Sequence, residues 1–228
     1  MKYLTHNFFS RWYTARTGTV QMLLLCALFS LSMQALRVVY TGKFLFVFMA
    51  WNLFLAFIPY ALSSWMSRRS FKRPAHLIWP VFVWTLFIPN SFYLLTDLFH
   101  LDMNYGVPLW FDLALLLSFA WTGLLLGLLS VRQMELVLAR YLGRRSHLFF
   151  ILPVMALNGL GVYVGRYLRF NSWDVLSRPF QLVQDVCDLV IHPLRNRVDW
   201  SMIACYTILL TLIYLTMKKT GKEWGSEW

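Results

Sequence analysis

Long apolar runs alternate along the chain with short segments that carry most of the basic residues. Six runs cover about residues 19–36, 44–62, 77–95, 108–129, 148–165 and 200–217. Each is near the ~20 residues that a helix needs to cross the hydrocarbon of a bilayer. Such helices are apolar all round, so run length and flanking charge support this interpretation better than helical periodicity does. The pattern predicts an all-α polytopic membrane bundle of six transmembrane helices.

One further segment, between the fifth and sixth runs, shows helical periodicity. Apolar residues recur there at Leu176, Phe180, Val183, Cys187, Val190, Ile191 and Leu194. Pro179 suits the first turn of a helix, and Gln181 and Asp185 lie opposite the apolar positions. We expect an amphipathic helix lying on the outer membrane surface. A short helix folded over the bundle is the alternative, and it leaves the topology unchanged.

Composition supports the membrane class. Of the 228 residues, 59% are hydrophobic and 14% are charged, whereas about a quarter of an ordinary soluble domain is charged. Six spans with short connections use nearly the whole length. We therefore predict a single integral membrane domain over residues 1–228.

The net charge of +11 would indicate a nucleic-acid partner in a soluble protein. Here most basic residues lie between the apolar runs, where they contact anionic headgroups and set the orientation. We expect the lipid bilayer as partner and no nucleic acid. Basic residues are about twice as frequent in the two tails and the second and fourth connections as elsewhere, which predicts a cell-membrane protein with both termini cytoplasmic.

The connection between the fifth and sixth runs breaks this charge rule. It contains five arginines, namely Arg166, Arg169, Arg178, Arg195 and Arg197. The exception indicates a local use of positive charge.

Two pairs of glycines have the spacing that lets membrane helices approach closely. These are Gly123 with Gly127 and Gly161 with Gly165. We interpret both pairs as helix-packing positions rather than ligand positions.

Two polar clusters occur at the ends of predicted spans. The first contains Asn90, Tyr93, Asp97 and His100, and the second contains Asn158, Arg166, Arg169, Asn171 and Asp174. The third and fifth helices run in the same direction, so both clusters emerge on the same membrane face. Asn52 and Asp112 are placed to complete one outward-facing pocket. Ionisable groups are expensive near hydrocarbon, so each needs a partner or a function.

These positions carry a family resemblance. The motifs are Ile88-Pro89-Asn90 followed by Tyr93, Thr96-Asp97 and His100-Leu101, and then Gly165-Arg166 with Arg169 and Asn171-Ser172-Trp173-Asp174. Through them the chain resembles an uncharacterised family of bacterial multi-pass membrane proteins, a domain of unknown function. The likeness covers roughly the second helix through Asp174. It implies the membrane architecture and supplies no catalytic assignment.

Three chemical interpretations of the pocket remain open. If residues 90–100 form a continuous helix, Tyr93, Asp97 and His100 share one face. His100 would then be a general base oriented by Asp97, and both are candidate catalytic residues. Alternatively, Asp97 forms a structural ion pair with Arg166 or Arg169.

The third interpretation uses the two arginines together. Arg166 and Arg169, three residues apart at a helix end, could grip the phosphate or carboxylate of a lipid headgroup or lipid-linked precursor. Asn90, Tyr93, Asp112, Asn158, Asn171 and Asp174 are further candidate ligand-binding residues. This arrangement would also allow acid and base chemistry on the bound group.

We predict no metal site. Asp97 and His100 would need further ligands from Asp102, Asp112 or Asp174, and the chain has five histidines with no HExxH spacing. The pattern indicates no particular cofactor.

The function that this pattern favours is a bacterial inner-membrane protein whose outward-facing pocket binds an anionic lipid or a cell-envelope intermediate, with action on that ligand left open. A transporter or permease component is the first alternative, but the cytoplasmic halves of the third and fifth helices carry no ionisable group. A non-catalytic membrane scaffold is the second. The sequence names no protein partner.

Overall fold

A computed structural model describes residues 2–71, 73–101, 106–142, 146–170 and 174–223. Its helices are α1 (Lys2–Thr41), α2 (Phe48–Arg68), α3 (Ile78–Tyr93), α4 (Leu109–Leu142), α5 (Ser146–Arg166), α6 (Asp174–Ser177), α7 (Pro179–Ile191) and α8 (Arg197–Glu223). Two 3₁₀ segments, Pro74–Leu77 and Leu94–His100, flank α3. These described ranges contain no strand, and the predicted all-α class is confirmed.

Five helical segments within the described ranges are long and apolar enough to cross a membrane. They are Gly18–Thr41, Phe48–Arg68, Ala75–His100, Leu109–Tyr141 and Arg197–Gly221. The fifth predicted run corresponds to α5, whose apolar part, Phe150–Arg166, is shorter. Because a helix satisfies its own backbone hydrogen bonds, it is the form that lipid permits. The chain is a multi-pass membrane protein.

Helix α4 extends well past the predicted end of its span at residue 129. Its 34 residues are about 51 Å long, whereas the hydrocarbon of a bilayer is about 30 Å thick. The extra turns stay helical because their polar groups have partners. Glu135 accepts hydrogen bonds from Arg132 at 2.6 Å and from Tyr214 and Lys218 of α8 at 2.5 Å.

The predicted amphipathic helix is present as α7, with Pro179 in its first turn. Its predicted apolar positions include Phe180 and Leu194, which are 90% and 88% exposed. Leu189, on another side, is buried, and its carbonyl accepts a 2.9 Å hydrogen bond from Nε1 of Trp200 in α8. The helix therefore packs against the bundle on one side and leaves its apolar stripe uncovered.

Both glycine pairs pack against α3, as predicted. A Cβ at Gly123 would lie 2.7 Å from the carbonyl oxygen of Ser91, and one at Gly161 would lie 2.5 Å from Cβ of Pro89. Gly127 and Gly165 similarly contact Phe92 and Tyr93. The missing side chains let α4 and α5 approach α3 closely on two sides.

One end of the bundle, which we call the cavity end, contains six helix termini. They are the C-terminal ends of α1, α3 and α5 and the N-terminal starts of α2, α4 and α8. Nδ2 of Asn52 at the start of α2 lies 3.3 Å from Asp97, Phe46 contacts both Arg37 and His100, and Ile203 near the start of α8 packs against Gly159 of α5. Two further side-chain contacts lie at the same end. Arg37 of α1 binds Asp112 of α4, with Nε 2.7 Å from Oδ1. Arg166 of α5 binds Asp97 after α3, with Nη1 3.3 Å from Oδ1. The other end is called the opposite end below.

Candidate functional site

A cavity of about 880 Å³ opens at the cavity end, mainly between α3 and α5. Its polar lining includes Asn52, Asn90, Tyr93, His100, Arg166 and Arg169. Its apolar lining includes Leu86, Pro89, Leu157, Leu160, Gly161 and Val164. Leu182 and Val186 of α7 also face the cavity. The space is therefore polar at one end and mostly apolar along its length, where Thr85 of α3 adds one hydroxyl group.

The end of α3 determines how Asp97 and His100 are presented. The condition of one continuous α-helix over residues 90–100 is not met, because the α-helix ends at Tyr93 and the chain continues as a 3₁₀ segment to His100. Residues three apart are eclipsed in a 3₁₀ helix, so Asp97 and His100 still share one side of it. Thr96 supports the change in winding, since its hydroxyl donates to the carbonyl of Tyr93 at 2.7 Å.

Asp97 is completely buried beneath the cavity. Nδ2 of Asn52 lies 3.3 Å from Oδ2, and Nη1 of Arg166 lies 3.3 Å from Oδ1. A buried carboxylate needs such partners, because an unpaired charge away from water is costly. Asp97 therefore acts on the cavity through Asn52 and Arg166, which line it, rather than by touching a ligand.

Arg166 is held by the protein through both terminal nitrogens. Nη1 points to Tyr93 Oη at 3.4 Å and to Asp97, while Nη2 donates to the carbonyl of Thr96 at 2.9 Å and contacts Nδ1 of His100 at 3.1 Å. The guanidinium also lies near the rings of Tyr93 and Phe99. Arg166 therefore ties α5 to the end of α3, and because Arg166 and Arg169 both line the cavity, their joint binding of an anion stays a prediction.

Two contacts of His100 bear on its tautomer. Arginine only donates, so the 3.1 Å contact between Nη2 of Arg166 and Nδ1 of His100 favours a ring hydrogen on Nε2. Nδ1 also lies 3.2 Å from the carbonyl oxygen of Asp97, to which it donates in the other tautomer. The carboxylate of Asp97 is 3.9 Å from Nδ1, beyond hydrogen-bond distance. The hypothesised base oriented by the Asp97 carboxylate is not formed.

Arg169 has a different setting from Arg166. It follows the end of α5, is exposed, and lines the cavity. Its φ of 58° lies in the left-handed region, which costs a non-glycine residue about 1–2 kcal/mol. Among the described residues it has no ion-pair or hydrogen-bond partner. Arg169 is thus the cation of the cavity that is open to a ligand.

The remaining predicted residues divide into three groups. Asn90 and Tyr93 line the cavity, as Asn52 does. Asp112, Asn158 and Asp174 do not line it: Asp112 binds Arg37 and Asn158 is buried in α5. Asp174 is buried next to Arg178, with carboxylate and guanidinium 3.0 Å apart. Asn171, like Asp102, lies outside the described residues.

Sequence reasoning missed the partner of Asp112. Arg37 is fully buried at the end of α1 and binds both carboxylate oxygens of Asp112, with the second contact at 3.1 Å. Its guanidinium also lies 4.8 Å from the ring of Phe46, which in turn lies edge-on to His100. The sequence contained a signal for this pair. Asp112 lies inside an apolar run, and a charged side chain there needs a basic partner at the same membrane depth.

Sequence reasoning also missed Glu135, which is buried with Arg132 and Lys218 at the opposite end. The carboxylate of Glu135 offsets one of these two positive charges, so the cluster between α4 and α8 keeps a net charge of +1. In the described part of the chain, no three His, Cys, Asp or Glu side chains are grouped closely enough to hold a metal ion.

Comparison with known proteins identifies a family. The model of the family described as "Protein of unknown function (DUF1361)" matches residues 51–213. The chain belongs to this family. The match begins in α2 and ends in α8, so it includes every polar residue that lines the cavity. No curated protein and no solved structure matches the chain.

Proposed function

We propose that this member of the family binds a lipid with an anionic headgroup, or a lipid-linked intermediate of cell-envelope synthesis, in the cavity between α3 and α5. The observation that carries the proposal is the division of this cavity. A cation and several polar groups lie at its mouth, and an apolar wall continues along the helices. A soluble anion would make no contact with the apolar wall, and a neutral lipid would carry no charge to pair with Arg169.

The headgroup would be held mainly by Arg169. Its guanidinium suits the paired oxygens of a phosphate or carboxylate. His100 borders the same space and adds an Nε2–H when its Nδ1 accepts from Arg166. Asn52 and Asn90 also border it, but their amide nitrogens donate to Asp97 and to the carbonyl of Phe87. The cation at the mouth therefore favours an anion.

The hydrocarbon chain would lie against the apolar wall. From Arg166 the lining of α5 continues back to Leu157, nine residues that correspond to roughly 14 Å along the helix axis. That distance is close to the ~15 Å of half a bilayer's hydrocarbon. Leu182 and Val186 of α7 lie over the cavity, and they would separate the chain from water.

The geometry supports binding more strongly than acid–base catalysis. A general base needs a free nitrogen or carboxylate within reach of the substrate. Asp97 is buried, and Nδ1 of His100 contacts Arg166 and the carbonyl of Asp97 instead of the open cavity. The two residues retain a positioning role, in which Asp97 holds Arg166 and Arg166 orients His100.

We place the cavity on the outer face of the bacterial inner membrane. The support is the bias of basic residues towards the segments at the opposite end, which favours a cytoplasmic location for that end. Both termini are then cytoplasmic, and the headgroup site faces the outer leaflet.

Lipid retention tests the proposal. Protein purified in mild detergent should retain anionic lipid detectable by mass spectrometry, and Arg169→Gln should lower the amount retained by roughly tenfold. Arg195→Gln is the matched control, because Arg195 is an exposed arginine at the same end that does not line the cavity. Equal retention by wild type and Arg169→Gln would contradict the proposal and favour a scaffold.

A further inference from the structure

A second groove lies between α1 and α2, with α4 as its floor. Its volume is about 680 Å³, and its wall is almost wholly apolar. α1 and α2 each pack against α4 but scarcely contact each other along the described residues. Thr122 and Leu126 of α4 are buried at the bottom of the groove, while Leu24 and Phe54 at its rims are about half exposed. The groove is therefore open sideways, where a membrane protein contacts lipid.

The groove ends at two arginines. Arg68, in the last turn of α2, and Arg69, just after it, both line the groove and both are exposed. The chain turns extended at Arg69, and its guanidinium lies 4.7 Å from the ring of Trp65. This contact holds one cation at the level where tryptophan side chains meet the membrane interface.

The charge at this end of the groove is positive. Its lining, among the residues whose side chains the structure describes, contains no Asp or Glu. Arg140 of α4 lies nearby, with its guanidinium donating to the carbonyl of Ser67 at 2.9 Å. An anionic group at the groove would therefore meet the guanidinium groups of Arg68 and Arg69, with that of Arg140 close by.

The dimensions fit a lipid tail. On α2 the lining continues from Arg68 back to Ala50, eighteen residues or roughly 27 Å of helix. A tail anchored at Arg68 would cover the ~15 Å to the middle of the hydrocarbon.

We infer that this groove is a second lipid site, which binds a diacyl phospholipid with an anionic headgroup at Arg68 and Arg69. The site lies at the opposite end of the bundle from Arg169, so its lipid belongs to the other leaflet. It shares no residue with the α3–α5 cavity and does not rest on the function proposed above.

Native mass spectrometry after reconstitution with phosphatidylglycerol and phosphatidylcholine tests the site. Wild type should retain phosphatidylglycerol in preference to phosphatidylcholine. Arg68→Gln/Arg69→Gln should lower the fraction of protein molecules with phosphatidylglycerol bound in this groove by roughly tenfold. Ala61→Trp should lower it similarly while both arginines remain, because Ala61 lines the groove and a bulky side chain there occupies the space of the tail.

Two control variants separate this site from general charge and from the first cavity. Arg73→Gln/Lys219→Gln removes the same charge at the opposite end from exposed residues outside the groove, and it should retain the lipid. Arg169→Gln should also retain it. The inference is overturned if Arg68→Gln/Arg69→Gln retains as much phosphatidylglycerol as wild type. It is also overturned if the charge control loses as much phosphatidylglycerol as that variant, or if wild type retains phosphatidylcholine equally well.

Discussion

Arg166 and Arg169 are the same residue type three positions apart, yet the structure gives them different roles. The helix ends between them: the amide of Tyr167 still bonds to the carbonyl of Tyr163, whereas the amide of Phe170 reaches back to Val164. With Arg169 in the left-handed region, the two side chains no longer follow one helical face. One arginine becomes part of the framework, and the other remains available at the cavity.

The pairing of Asp97 with Arg166 predicts strong coupling between their replacements. Asp97→Asn or Arg166→Gln alone should each lower the free energy of unfolding by about 3–5 kcal/mol, because each leaves a buried group without its partner. The double replacement should cost less than the sum, with an interaction free energy of about 1–3 kcal/mol. Unfolding of the purified protein, followed by circular dichroism, measures all four variants of the cycle.

A distant pair provides the control for this cycle. The control combines Asp97→Asn with Arg132→Gln, two replacements at opposite ends of the bundle. Their effects on the free energy of unfolding should add within about 0.5 kcal/mol. Strict additivity for Asp97 with Arg166 as well would count against their contact.

At the scale of single elements, α3 is the helix on which the site depends. It carries Asn90 and Tyr93 and changes to a 3₁₀ segment just before Asp97. Glycines on α4 and α5 let both neighbours approach it closely. Packing against α3 therefore determines both the shape of the cavity and the position of the arginine that comes from α5.

Gly161→Ala tests this packing. The new Cβ would lie 2.5 Å from Cβ of Pro89, so α5 must move away from α3, and we expect a loss of about 1–3 kcal/mol in the free energy of unfolding. The measurement is unfolding of the variant in detergent beside wild type.

Gly18→Ala is the matched control for the glycine test. A Cβ at Gly18 has no neighbour within 4 Å, and alanine favours a helix over glycine by up to about 1 kcal/mol. This variant should be as stable as wild type or slightly more stable. If Gly161→Ala and Gly18→Ala were equally stable, α5 would not pack closely against Pro89 of α3.

For the whole molecule, the orientation follows from charge and from the alternation of helices. The contacts of Arg37 with Asp112 and of Arg166 with Asp97 group the two polar clusters at one end. The basic bias favours the outer face for that end, and the orientation remains part of the proposed function.

Reporter fusions test this orientation. A reporter that is active only outside the cytoplasm should be active when inserted in residues 102–105 and inactive when inserted in residues 143–145 or fused to the C-terminus. The reason is that basic segments resist translocation. The reverse pattern would invert the orientation, and activity at both internal positions would contradict the alternation of α4 across the membrane.

The sequence by itself determined the membrane class, the positions of the apolar helices, the amphipathic helix and the shared end of the two polar clusters. The physical reason is a free-energy cost that can be read along the chain. Exposing an apolar segment to water, or a charged side chain to lipid, costs free energy whichever helices pack beside it. The family resemblance followed from the same stretches and is confirmed by the match over residues 51–213.

Only the tertiary structure decided which polar groups pair. It paired Asp112 with Arg37, buried Asp97 against Arg166, placed Nδ1 of His100 beside Arg166 and left Arg169 at the cavity. Each of these depends on where a helix ends and on which helix lies beside it. Hydropathy gives the depth of a residue in the membrane, but the partner of a charge is set by packing across helices.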